Sequence, residues 1–386
     1  MNILGGSIAD ATVATMICEG ISNPHSSGLG GGFLITIYIK DKGTVESIDA
    51  REIAPKLAVK DMYNNNLGAA SRGGLAVAVP GELKGLWGLH QKYGKLPWKD
   101  LIQPNIELCR RGHKVSSYQA RIYKSIETRL LDEPTLSEVF INPETQQVWE
   151  EGELIKRNKL ADTLEIIAAE GADAIYNNGS LTQILVNDIK RFGGIITTED
   201  FMDYNIRWRK PEVAELKGEN TLYTSPLPGT GSVLTFILNI LDKYELKYDA
   251  LSYHRIVEAF KFGYGSRTRL GDEPSEEIKE LVRNLTDRTH ADLIRSQIDD
   301  QRTYNEPSHY GALFESVEDH GTTHICLLAP NGDAVAATNT VNDYFGSFRS
   351  SAGIILNDQM DDFGVPGTKK FIIMYKIAQH KLFSNK

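Results

Sequence analysis

The feature that most constrains this fold is a turn. Asn331-Gly332 is a strong reverse-turn pair, and it lies between Ile325-Cys326-Leu327-Leu328 and Ala334-Val335-Ala336-Ala337, so the region reads as a β-hairpin. A two- or four-residue loop centred there places Val341 opposite Thr322, whereas a five-residue loop from Ala329 to Asp333 places Thr340 opposite it. In the second register the Thr340 hydroxyl comes within reach of Thr322. Thr338 lies two residues earlier on the same face of the strand. Threonine is common in strands, so an ordinary hairpin also accounts for the pairing taken alone.

Gly321 precedes Thr322 directly. If the bond between them is cut, Thr322 gains an α-amine beside its own hydroxyl, a base and a nucleophile on one residue. With a reference pKa of roughly 7.7–8.0, that amine takes the hydroxyl proton near neutral pH without an added histidine.

Residues 338–347 and 353–363 resemble the start of the small subunit of γ-glutamyltransferases, the glutathione hydrolases. Upstream, Asn23-Pro24-His25-Ser26-Ser27-Gly28-Leu29-Gly30-Gly31-Gly32 and Asp49-Ala50-Arg51-Glu52-Ile53-Ala54-Pro55 resemble that family's large-subunit signatures, and segments 85–98, 176–201 and 253–272 are similar throughout. The resemblance runs from Gly5 to about Pro366. It implies an α/β (α+β) chain with the four-layer αββα sandwich of N-terminal-nucleophile hydrolases, incomplete at the C-terminus. It also implies self-cleavage at Gly321-Thr322, which divides the chain into a large-subunit region 1–321 and a small-subunit start 322–366, followed by an atypical basic tail 367–386. Thr322 is then the nucleophile and Thr340 orients its oxygen. The substrates implied are glutathione, other γ-glutamyl amides and acceptor amino acids or dipeptides.

A γ-glutamyl substrate carries an α-carboxylate, for which the Arg51 guanidinium is a natural bidentate partner; a lone arginine is otherwise usually a solvated surface charge. The resemblance assigns the substrate's α-ammonium to Asp362, Gln359 and Asn342, with Thr338 also on the substrate side. Asp361-Asp362 taken alone also fits a metal-ligand pair or an acidic turn. Only His320 and His324 share a helix-like spacing, inside a segment that reads as a strand, so no metal and no cofactor are expected. His254, beside Ile256 and Val257, reads as structural. The Gly28–Gly32 loop follows a helix and precedes a strand, the reverse of a phosphate cradle, and instead predicts a tight backbone passage near the active site.

A net charge of −9 without a basic stripe excludes nucleic acid as a partner. Cys18, Cys109 and Cys326 are too few for a disulfide framework. Asn178-Gly179-Ser180 and Asn284-Leu285-Thr286 are potential glycosylation sites in a secreted protein. Animal members of the resembled family are anchored at the cell surface by an N-terminal segment. This chain begins past that point, shows no signal peptide, and has no apolar run near the roughly 18 residues a membrane span requires.

Helices are predicted at about 7–20, 79–93, 98–112, 160–170, 181–192, 232–243 and 251–269, and strands at about 33–39, 44–49, 322–328 and 334–341. After Pro366 the family's serine-bearing segment and glycine pair are missing, and the stretch from Thr368 carries five lysines and no acid. Two readings follow. One is a γ-glutamyl hydrolase/transferase processed from one precursor; the other is a truncated, non-catalytic isoform that binds γ-glutamyl ligands or a partner subunit.

Overall fold

The computed structural model describes residues 5–63, 66–271, 275–313 and 321–363. His320 and the tail 367–386 lie outside the described residues. The described residues divide into two compact units. The first comprises 5–44, 48–207 and 321–361, and the second is built mainly from 208–313.

In the first unit, helix α1 (Ile8–Ser22) begins at a capping box: the Ser7 side chain accepts the Asp10 amide, and Asp10 accepts the Ser7 amide in return. Strand β1 (Gly32–Ile39) follows. The chain turns at Gly43, where φ is +58°, and returns as β2 (Thr44–Ala50). So short a connection between neighbouring strands forces them antiparallel. Helices α2 (Glu82–Tyr93), α3 (Trp98–Arg111) and α4 (Asn158–Glu170) come next, and β3 (Thr322–Leu328) and β4 (Ala334–Thr340) close the unit.

The strands lie in the order β3-β4-β1-β2, so the last hairpin in sequence docks on the first. The register pairs Phe33 with Asn339, Ile35 with Ala337 and Ile37 with Val335. The apolar side chains among them are at most 3% exposed and face α1 and α2. Each contributes roughly 1.5–3 kcal/mol on burial, alanines less. The opposite face carries Thr322, His324, Cys326 and Leu328, all exposed. One helix layer and one sheet layer of the expected sandwich are thus in place, and no second sheet of comparable size occurs among the described residues.

A second cluster in this unit surrounds Tyr123, Phe140 and Phe345. Phe345 is fully buried edge-on against Phe140, 4.7 Å between ring centroids, and ties the segment after β4 to the helices of residues 117–140.

The second unit packs helices Gly231–Leu241, Ala250–Arg267, Glu276–Thr286 and Arg288–Arg295 around Phe236, Ile240, Phe262 and Leu285. It also holds an antiparallel hairpin, Glu212–Leu216 with Asn220–Thr224. His254 is structural here: its Nε2 meets the Asp299 carbonyl at 2.9 Å.

All seven predicted helices and all four predicted strands form within a few residues of their expected bounds. Helices Ser117–Ser125, Glu127–Asp132, Pro134–Phe140, Asp173–Tyr176, Thr198–Asp203, Glu276–Thr286 and Arg288–Arg295 and the hairpin Glu212–Leu216 with Asn220–Thr224 lie outside the expected set, although Ile278, Leu281, Val282 and Leu285 recur at helical spacing. No helix among the described residues is long and apolar enough to cross a membrane.

Asn357 staples the unit. Its fully buried amide donates to the Gly30 and Ala78 carbonyls at 2.7 and 2.9 Å and accepts from the Ala78 and Gln359 amides at 3.0 and 2.9 Å. Truncation strands three buried backbone groups, the Ala78 carbonyl and the Ala78 and Gln359 amides, at about 1–3 kcal/mol for each that water cannot reach, while the Gly30 carbonyl keeps the backbone amide of residue 357. Asn357→Ala is therefore expected to lower unfolding stability by about 3 kcal/mol or more in chemical denaturation, far beyond an exposed control such as Gln183→Ala.

Candidate active site

The hairpin turn decides the site. Ala329 to Asp333 form the five-residue loop, closed by the Ala329 amide on the Asp333 carbonyl at 2.8 Å, with Gly332 at φ +89°. Thr322 therefore pairs with Thr340 rather than Val341.

This register brings three groups together. The Thr322 hydroxyl donates to Thr340 Oγ1 at 3.1 Å, and the Thr340 hydroxyl donates to the Gly321 carbonyl at 2.8 Å. The Asn342 amide donates to the same Thr340 oxygen at 2.9 Å. Thr340 is 5% exposed, whereas Thr322 is exposed. One hydroxyl thus contacts both the Thr322 oxygen and the Gly321 carbonyl.

The backbone around this contact tolerates little else. Gly321 has φ +105°, and a Cβ there would stand 2.3 Å from the Asn342 carbonyl oxygen. A Cβ on Gly31 would meet the Thr340 carbonyl oxygen at 2.0 Å, and one on Gly30 the Ile355 carbonyl oxygen at 1.9 Å. The glycine loop is a tight passage against the site, as its position between helix and strand predicts. After β4, Asn342, Phe345 and Phe348 all hold positive φ, at 79°, 62° and 54°. Such conformations cost on the order of 1–3 kcal/mol each and persist where the surroundings over-determine them. Here His25 accepts the Phe345 amide and Ser26 the Val341 amide on their carbonyls, at 2.9 and 3.1 Å. Burial against Tyr118, Tyr123, Tyr344 and Phe345 lowers the His25 imidazole to about 4, so it is neutral at physiological pH.

The expected substrate residues are placed unequally. Gly32 pairs with Thr340, and a Cβ on Gly32 would stand 3.0 Å from Arg51 Cα. The Arg51 backbone is thus about three strand spacings, roughly 14 Å, from that of Thr322. Its guanidinium meets Glu52 in two contacts, 3.1 and 3.2 Å, a pairing that sequence adjacency alone does not disclose. Asn342 Nδ2 donates to the Asp358 carbonyl at 3.4 Å. Gln359 is fully buried, and neither polar atom of its amide has a partner among the described residues. Thr338 contacts His324 Nδ1 at 2.8 Å, and the other nitrogen of that ring lies 3.2 Å from Cys326 Sγ. Thr338 therefore engages its cross-strand neighbour and not Thr322. Asp362 stands in the short turn Asp361–Phe363 and groups with the second unit.

Sequence reasoning did not single out Asn357, Glu82 or Asn339. The last two are buried together, with Asn339 Nδ2 donating to Glu82 Oε2 at 3.3 Å. The available signal was an acid directly after Pro80-Gly81, inside the helix expected over 79–93.

The gamma-glutamyltranspeptidase family model matches residues 2–381. Scoloptoxin SSD14 of Scolopendra dehaani is 43% identical, over 94% of this chain and 64% of its own length. Glutathione hydrolase 2 of Arabidopsis thaliana is 37% identical, over 94% and 63%. The chain spans less than two thirds of the length of these curated relatives. The crystal structure of Helicobacter pylori gamma-glutamyltranspeptidase superposes with a TM-score of 0.73 at 29% identity, covering 82% of this chain and 93% of that one. The fold is that of the N-terminal-nucleophile hydrolases.

Gly321 supplies a test of the geometry. A methyl there has no room, and a shift of about 1 Å in a reacting group costs about 10²-fold in rate. If the bond before Thr322 cleaves itself, Gly321→Ala is expected to slow that scission by the same order on a denaturing-gel time course, while circular dichroism stays unchanged.

Proposed function

The chain belongs to the gamma-glutamyltranspeptidase family, and from that premise we propose a γ-glutamyl hydrolase/transferase whose nucleophile, Thr322, is released by self-cleavage at Gly321-Thr322. The supporting observation is the Thr340 hydroxyl, which contacts both Thr322 Oγ1 and the Gly321 carbonyl oxygen.

In the intact chain the Thr322 oxygen attacks the Gly321 carbonyl carbon, and the C–N bond to Thr322 breaks as an ester forms. The Thr322 nitrogen takes the hydroxyl proton. Water then hydrolyses the ester, leaving a carboxylate on Gly321 and an amine on Thr322. The products are a 321-residue piece and a 65-residue piece (386 − 321 = 65). This boundary is one of processing: β3 and β4 stay in the sheet with β1.

In the mature form the Thr322 amine accepts the hydroxyl proton, and the oxygen attacks the γ-amide carbonyl of glutathione or another γ-glutamyl compound. The amine component leaves with a proton, and water or an acceptor amine takes the acyl group. Arg51, by exchanging Glu52 for the substrate's α-carboxylate, and Gln359, Asn342 and Asp362, on the α-ammonium side, are the proposed holders. The otherwise unsatisfied buried amide of Gln359 supports its share. A surface or extracellular setting belongs to the same proposal, and Asn178 and Asn284 are both exposed.

Exposure of Thr322 together with His324, Cys326 and Leu328 favours a second reading, a non-catalytic form that binds γ-glutamyl ligands or a partner subunit. A nucleophile left in water lacks the enclosure that strengthens electrostatic catalysis.

Incubation of the purified chain separates the two. The first reading expects pieces of 321 and 65 residues, none from Thr322→Ala, and turnover of a γ-glutamyl anilide only after cleavage. One uncut band that binds γ-glutamyl ligand without turnover supports the second.

A further inference from the structure

The clamp beneath β4 carries an inference that rests on the self-cleavage reading and extends it to a residue remote from the reacting atoms. Glu82 is the first residue of α2 and is fully buried. Its carboxyl accepts from Asn339 Nδ2, and Asn339 lies between Thr338 and Thr340 with its side chain on the helix-facing side of β4. The same helix end grips β4 a second way. The Gly81 and Glu82 amides both donate to the Gly31 carbonyl, at 2.9 and 3.1 Å, and Gly31 is the residue wedged against the Thr340 carbonyl. The Glu82 side chain thus bonds residue 339, and its backbone bonds Gly31, which packs on residue 340.

Glu82 Oε1 and Ser27 Oγ have no partner among the described residues, and both residues line one cavity of about 20 Å³ together with Arg157. That space exceeds the ~10–15 Å³ one water needs, and two buried polar atoms can hold it. We propose that Glu82 is a positioning residue for self-cleavage: in its uncharged form, bridged by a water to Ser27, it holds Asn339 and so fixes Thr340 between Thr322 and the Gly321 carbonyl.

The surroundings favour the uncharged form. Burial pushes the carboxyl up to about 8 from 4.5; the Asn339 contact opposes this weakly and Glu19 of α1 adds to it. The other groups facing it are Tyr176, which senses its charge, and Arg157, whose guanidinium is taken by the Gly20 and Gly353 carbonyls at 2.9 and 2.8 Å. With a raised folded-state value, the group's contribution to stability is fully present below 4.5 and is lost as pH rises through about 8. Ionisation places an unpaired charge directly under β4.

The test compares wild type, Glu82→Gln and Glu82→Ala over a pH series. Glu82→Gln, neutral and equal in size, is expected to cleave near the wild-type rate at neutral pH and to lack the fall that the wild type shows above about pH 8. Glu82→Ala is expected to be slower by about tenfold or more through misplacement of Thr340. A second arm uses the uncleavable Thr322→Ala background and needs no activity. There Glu82→Ala should speed hydrogen exchange at the amides of residues 339–342, and Glu82→Gln should not. Wild-type cleavage and exchange in Glu82→Ala overturn the proposal, as does an alkaline fall that survives in Glu82→Gln. Absence of cleavage in every protein refutes the self-cleavage reading instead, and the exchange arm still decides whether Glu82 fixes β4.

Discussion

Everything at this site depends on the oxygen of Thr340. A threonine hydroxyl has one proton and two lone pairs, and all three are committed: it accepts from Thr322 Oγ1 and the Asn342 amide and donates to the Gly321 carbonyl. Because that group is nearly buried, its alternatives are few and its direction is set. The surrounding fold holds it in place. The bare backbone of Gly31 packs against the Thr340 carbonyl, Glu82 grips Asn339 from below, and Asn357 ties Gly30 to Ala78 and Gln359.

The same arrangement explains where strain is tolerated. Asn342, Phe345 and Phe348 hold conformations that isolated residues avoid, and the neighbouring loop and aromatic cluster supply the compensation. Phe345 is fixed by its amide on the His25 carbonyl and by its ring against Phe140. A strained segment directly after the hydroxyl-bearing strand keeps Asn342's amide aimed at Thr340. The neutral His25 imidazole adds no charge to that support.

Much of this was legible before any coordinates, for a physical reason. Strand periodicity and turn chemistry are local, so Asn331-Gly332 and the runs beside it narrowed the partner of Thr322 to two residues, and loop closure by Asp333 chose Thr340. The Gly28–Gly32 loop was readable because four glycines in five residues permit few purposes between helix and strand. Arg51 was readable as a candidate, but its pairing with Glu52 depends on side-chain rotamers that sequence does not disclose. Thr338 was placed on the correct face, yet its contact with His324 follows from the register only once the loop length is known. Asn357 and Glu82 were least legible. Their partners lie hundreds of residues away, and an asparagine or glutamate in sequence looks the same whether it is solvated or serves as a fully buried staple.

The most direct measurement of the central claim is the rate of scission at Gly321-Thr322, followed by intact mass, in Thr340→Val and Thr340→Ser. Valine keeps the shape and deletes the hydroxyl; serine keeps the hydroxyl and deletes the methyl. The account predicts a loss of about 10²–10³ for Thr340→Val, the scale for removing one donor to a developing oxyanion, and substantial recovery in Thr340→Ser. Scission at the wild-type rate in Thr340→Val would contradict it.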